Sequence, residues 1–168
     1  MIHDSNLERT TGTTGDLRLM TSGQLDGIDA GEPSRFGSRH GGVHLPRLTA
    51  VASLMSEFAG ARAFVEVKRA SLAHHGRAHC IENILAALAA VLDRCVLISF
   101  DAEACRLVRA AGAVPVGWVL DADPGSQRTA LDALRPEFVF CDHRRLPAGV
   151  SVPARRAEFR AAIRPAAP

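Results

Sequence analysis

Glu66 and Lys68 stand two residues apart in Ala63-Phe64-Val65-Glu66-Val67-Lys68, a segment otherwise apolar and β-branched. On an extended chain that spacing puts both side chains on one face. Two opposite charges on an apolar strand are costly to bury unless they are paired or bound to something. Two arrangements satisfy the pattern. In one, the charges sit at a strand end and reach water. In the other, a metal-binding carboxylate lies beside a phosphate-binding ammonium at the C-terminal mouth of a barrel. His3-Asp4 is a second candidate, either a solvated terminal histidine or an imidazole placed to move a proton. His74, His75, His79 and Cys80 include a four-residue spacing suited to zinc, but no second pair of ligands accompanies them. Arg35, Arg39, His40 and His44 fall in a long polar loop, solvated or overhanging a site where an anionic head group binds. Ser99 lacks the flanking glycines of a nucleophile elbow and reads as strand packing. Trp118 reads as core or barrel-mouth packing.

These residues need elements to hold them. From about Gly60 onward the chain alternates between strand and helix patterns. Arg62 to Lys68 is a predicted strand, and Arg77 to Arg94 a predicted helix with Ile81, Ile84, Leu85, Leu88 and Leu92 at helical spacing. Cys95 to Ser99 is a predicted buried strand. Asp101 is placed to cap a following helix and Gly112 to end it. Val114 to Leu120, Ser126 to Leu134 and Glu137 to Cys141 continue as strand, helix, strand. Near-continuous apolar strands separated by helices imply a parallel sheet, with Val65, Val67, Leu97 and Val116 expected on its inner face. Before Gly60 the expected elements are a short helix near Thr21 to Leu25, a Gly/Pro/Ser/Arg loop from Gly31 to His44, and a helix from Leu48 or Thr49 to about Phe58. The final stretch, 148–168, is rich in Ala, Arg and Pro, with a weak helical pattern over 154–163. A doubly wound sheet and a barrel both fit the parallel strands, although no strand runs into the G-x-G-x-x-G of a dinucleotide fold.

Composition narrows the class. A chain of 168 residues, 47% apolar and 23% charged, can build one domain with a real core. Its net charge of +2, with arginines scattered, gives no footprint for nucleic acid or for a charged membrane surface. The longest apolar run, Ile84 to Leu92, is too short to cross a bilayer, and the start has neither the basic nor the apolar region of a signal peptide. The four cysteines, Cys80, Cys95, Cys105 and Cys141, have no C-x-x-C spacing, so reduced thiols in a cytoplasmic protein are expected.

Taken in order, His3-Asp4, Leu7, Arg9-Thr10-Thr11, Gly15, Leu45-Pro46-Arg47-Leu48, Val65-Glu66-Val67-Lys68 and Ser99-Phe100-Asp101 resemble the glycerophosphodiester phosphodiesterase family. Val116-Gly117-Trp118-Val119-Leu120 and Pro136-Glu137-Phe138-Val139-Phe140-Cys141-Asp142 look like a bacterial branch of it. The order and spacing of these segments, from Ile2 to Pro147, make the resemblance, since none is specific alone. It implies an α/β fold, an incomplete TIM-type (β/α) barrel over residues 1–147, followed by an unrelated tail over 148–168. It also implies hydrolysis of glycerophosphodiesters to glycerol 3-phosphate and an alcohol, in phospholipid turnover, with one divalent cation, Mg or Ca.

By position, the resemblance assigns His3 to proton transfer, Glu66 to the metal, Lys68 to the phosphate, and Asp4 to support of its loop. Both Glu66 and Lys68 are then expected on a strand, facing the centre of the sheet, with His3 opening onto the same mouth. The sequence departs from the family in having no H-R-G, P-E-N-T or E-x-D segment. One proton-transfer histidine and further metal carboxylates therefore have no counterpart. The expectation is a chain truncated at its start, and also at its end, with impaired activity and self-association through open sheet edges. The alternatives are a non-catalytic fragment or pseudoenzyme of the family, and a small α/β binding domain in which E-x-K is incidental.

Overall fold

The computed structural model describes residues 2–142 and residue 144, and the chain divides into two units, Met1–Leu54 and Met55–Pro168. The tail expected over 148–168 and its helical pattern lie outside the described residues.

The first unit is built from turns and short helices. Its helix α1, Glu8–Thr11, ends at Gly12, whose φ of 68° is the left-handed value that glycine tolerates best. Leu7 beside it is fully buried. Thr21 caps α2, Ser22–Asp26, through a reciprocal capping box with Gln24. The predicted loop 31–44 contains one turn of helix, α3, Pro33–Phe36. The Asp29 carboxylate closes this loop by accepting the N–H groups of Gly31 and Gly42 at 2.8 and 2.7 Å. A side chain at Gly31 would collide with the His40 carbonyl, whose oxygen lies 2.3 Å from the place of a Cβ. Helix α4, Leu48–Glu57, matches the predicted span and contains the boundary between the units.

The second unit is an open sheet of four strands among the described residues: β1, Ala63–Glu66; β2, Cys95–Ser99; β3, Val116–Val119; and β4, Phe138–Phe140. All neighbours are parallel and follow chain order. The connections are helical: α5, Arg69–His75, and α6, Arg77–Ala87, lead from β1 to β2; α7, Ala102–Ala111, leads to β3; and α8, Arg128–Leu134, leads to β4. Asp101 caps α7 by accepting the Ala104 N–H at 2.9 Å, and Gly112 ends it at φ 65°. Both follow the sequence expectation.

Three expectations are corrected. The predicted strand through Lys68 stops at Glu66, and Lys68 becomes the N-cap position of α5. The predicted long helix from Arg77 leaves α-geometry after Ala87 and continues as a 3-10 segment, Ala89–Arg94. There Val91 at φ −137° turns inward and is fully buried. The third concerns the two faces of the sheet. Val67, Leu97 and Ser99 lie against Ala104, Cys105 and Val108 of α7, and Val116 and Trp118 are buried with them. The alternate residues Phe64, Glu66, Ile98, Gly117, Phe138 and Phe140 share the opposite face by register. Val65, paired with Leu97, lies on this side too, so Val65, Val67, Leu97 and Val116 all face the helices and do not form the inner layer.

That opposite face is concave. The Phe64 ring on β1 meets those of Phe138 and Phe140 on β4, with centroids 5.1 and 5.6 Å apart, although two strands lie between. With strands about 4.8 Å apart, a flat sheet would hold β1 and β4 roughly 14 Å from each other, too far for that contact. Gly117 makes room for the curl. A Cβ there would stand 2.6 Å from Ile98 Cγ2 and 3.0 Å from Phe140 Cε2.

Candidate active site

Glu66 is the last residue of β1, at the end from which every βα connection in this unit departs. It shares the concave face with Phe64, two residues back. One carboxylate oxygen, Oε2, accepts from Lys68 Nζ at 2.9 Å. The other, Oε1, is buried and has no hydrogen-bond partner. The two side chains are 22% and 31% exposed, so the charges are neither fully solvated nor fully sealed. A buried carboxylate oxygen without a donor is a costly arrangement in isolation. It becomes favourable when a cation approaches that oxygen.

The strand ends beside it are fixed by polar side chains. Ser99 donates its hydroxyl to the Val67 carbonyl at 2.8 Å and accepts the Asp101 N–H at 3.1 Å, tying the end of β1 to the end of β2. Its role is structural, as the sequence suggested. Arg69, next to Lys68, spans two further connections, donating to the Phe100 carbonyl at 2.6 Å and to Asp121 at 2.7 Å. The Arg69 bond holds the Asp121 carboxyl below the usual range. This brace was missed by the sequence reading. Its only signal was an arginine directly after a strand, which composition does not distinguish from a solvated one.

In the first unit, His3 and Asp4 are joined by a 2.6 Å bond from the imidazole Nδ1 to the carboxylate Oδ1. Asp4 Oδ2 accepts from Arg9 Nε at 2.6 Å, and Arg9 reaches Glu32 at 3.5 Å. The His3 bond, then the Arg9 bond, hold the Asp4 carboxyl below its ordinary value. An ionised Asp4 favours a proton on His3 Nδ1 and leaves Nε2 for other chemistry. The structure thus pairs His3 with Asp4 and Glu66 with Lys68. The first pair belongs to the first unit and the second pair to the second.

Among the described residues no group of three or more His, Cys, Asp or Glu could hold a metal ion, the His74, His75, His79 and Cys80 set included. The His74 and His75 rings stack edge to face at 4.5 Å instead, and His79 bonds Asn83. All four cysteines are free, with Cys95 and Cys105 buried as expected.

Several solved structures share this architecture, among them the following three. A protein assigned as a glycerophosphoryl diester phosphodiesterase from Silicibacter pomeroyi DSS-3 gives a TM-score of 0.69 with 19% identity, covering 83% of this chain and 59% of that one. An Oleispira antarctica phosphodiesterase, solved with its product sn-glycerol-3-phosphate, gives 0.66 with 21% identity over 84% and 56%. A glycerophosphodiester phosphodiesterase from Agrobacterium tumefaciens C58 gives 0.61 with 23% identity over 84% and 56%. The chain has the glycerophosphodiester phosphodiesterase fold. It spans between about half and three-fifths of the length of these solved chains. Its open parallel sheet is an incomplete (β/α) barrel, four strands among the described residues where closure takes eight. No protein-family model matches the chain, and no curated protein does. Among the described residues no helix is long and apolar enough to cross a membrane.

Proposed function

We propose that this chain serves the metal-dependent hydrolysis of glycerophosphodiesters to glycerol 3-phosphate and an alcohol, in cytoplasmic phospholipid turnover. The observation that supports it is Glu66 in this fold, at a strand's C-terminal end, one oxygen on Lys68 and the other buried and unpaired. A hard divalent cation takes oxygen ligands, and magnesium sites use as few as one or two carboxylates with substrate phosphate completing the shell. Glu66 Oε1 fits one such position. When bound, Mg or Ca would neutralise charge building on the phosphoryl oxygens. Lys68 would hold the phosphate as a point charge, sharing its proton donors between Glu66 and the ligand. His3, its Nδ1 engaged by Asp4, would use Nε2 to move a proton to or from an oxygen of the diester.

A second reading is a non-catalytic relative that binds without turnover. It is favoured by the Lys68 ion pair, which occupies one of the two Glu66 oxygens and leaves one carboxylate oxygen for a cation.

Calorimetric titration with sn-glycerol 3-phosphate in calcium tests the site, with glycerophosphocholine hydrolysis followed in parallel. Calcium-dependent binding is expected, weakened at least about tenfold by Glu66→Gln with the circular dichroism unchanged. Turnover is expected to be low, because general acid–base help is worth about 10² to 10⁴ in rate and only His3 of the expected pair is present. Binding that ignores both calcium and Glu66→Gln would overturn the site. Turnover that vanishes in His3→Ala would exclude the non-catalytic reading.

A further inference from the structure

Among the described residues β1 and β4 each have a single sheet neighbour, so the sheet has two free parallel edges. The edge strands are half-exposed, whereas β2 and β3 are almost wholly buried. Hydrogen-bonding direction alternates along a strand. Val67 donates its N–H to Ile98 at 2.8 Å, so the backbone groups of Phe64 and Glu66 point away from β2. Leu120 donates to Phe140 at 2.7 Å, so those of Val139 point away from β3. Glu66, at the end of β1, is the one charged residue in either edge strand, and neither strand contains proline or lysine, although both are short, at four and three residues.

We propose that a second copy of this chain occupies both edges, closing an eight-stranded parallel barrel. In this assembly β4 of each copy pairs with β1 of the other about a two-fold axis running along the barrel. Three observations favour this partner. Parallel closure needs a strand with a free β4-type edge against β1 and a free β1-type edge against β4, and a second copy offers both at once. One two-fold operation then satisfies every edge and leaves nothing to propagate. The sheet already curls enough for Phe64 to reach Phe138 and Phe140, and a barrel of this kind closes at eight strands. Because all strands remain parallel, both Glu66–Lys68 pairs would stand at the same mouth. The proposal rests on the fold and not on the phosphodiesterase reading, so either can fail alone.

The test is sedimentation equilibrium of the full chain with amide hydrogen exchange. A species of twice 17.9 kDa is expected, with the outward amides of Phe64, Glu66 and Val139 protected. Val139→Pro removes an outward donor while keeping the bonds to β3, and should give a monomer whose Phe64 and Glu66 amides exchange freely. A native chain that sediments as a monomer overturns the proposal, whether or not those amides are protected. So does an open-ended series of larger species, or a Val139→Pro dimer with both edges still protected. Should Val139→Pro fail to fold, the mass and exchange pattern of the native chain decide.

Discussion

Replacing Gly117 with alanine probes the curl of the sheet directly. The new Cβ would enter the concave face 2.6 Å from Ile98 Cγ2 and 3.0 Å from Phe140 Cε2. Ordinary contact lies near 3.5–4.0 Å, so the nearer overlap approaches 1 Å. Ile98 cannot easily yield, because its branched Cβ leaves few χ1 choices and its backbone is held between β1 and β3. Phe140 can yield by turning its ring, at the expense of its contact with Phe64. Overpacking of this kind costs about 1–3 kcal/mol. For a chain of this length each kcal/mol moves the melting midpoint by about 2–4 °C, so a fall of roughly 2–12 °C is expected. Urea and thermal melts of wild type, Gly117→Ala, Ile98→Ala and the double variant measure it. Ile98→Ala alone removes half-buried apolar contact and destabilises, but it also removes the atom that Gly117→Ala strikes. The double variant should therefore be about 1 kcal/mol more stable than the sum of the two effects. A neutral or stabilising Gly117→Ala would mean that Phe64 and β4 do not converge on this face, and the concave reading would fall with it.

Asp101→Ala removes both the α7 cap and the Arg77 pair, bonded at 2.8 Å, and should cost about 1–2 kcal/mol at neutral pH. The Arg77 bond holds the Asp101 carboxyl low, so this stability is present above the usual carboxylate range and lost as pH falls through the folded value. The melting curves of the two proteins should converge in acid, and a gap that persists there would refute the assignment. Burial pushes the Cys105 thiol up to about 11, so at pH 8 iodoacetamide should modify Cys80 and Cys141 before Cys105 in the native protein, and all of them in urea. Keeping that thiol neutral stabilises the fold below the ordinary thiol value and ceases to do so as pH rises through about 11. Native Cys105 labelling as fast as Cys80 would show that α7 does not seal against the sheet.

What the sequence determined by itself is local. Cys95 to Ser99 could only be a buried strand, and Asp101 and Gly112 mark the ends of α7 because a capping carboxylate and a left-handed glycine act within a few residues. The two-residue spacing of Glu66 and Lys68 was equally legible, as was the ordered set of segments that pointed to the barrel. Tertiary structure decided the rest. Period-two alternation sets Val65 and Val67 against Phe64 and Glu66 but does not say which set meets the helices. Contact with α7 settles it, by giving Val67 and Leu97 a close-packed layer and leaving the concave face to phenylalanines. The end of β1 at Glu66 was likewise invisible, because Lys68 turns into α5 through backbone geometry that its side chain does not dictate. Last, only the folded chain shows that Lys68 takes one Glu66 oxygen and leaves the other buried and unpaired, since desolvation depends on neighbours that arrive from distant parts of the sequence.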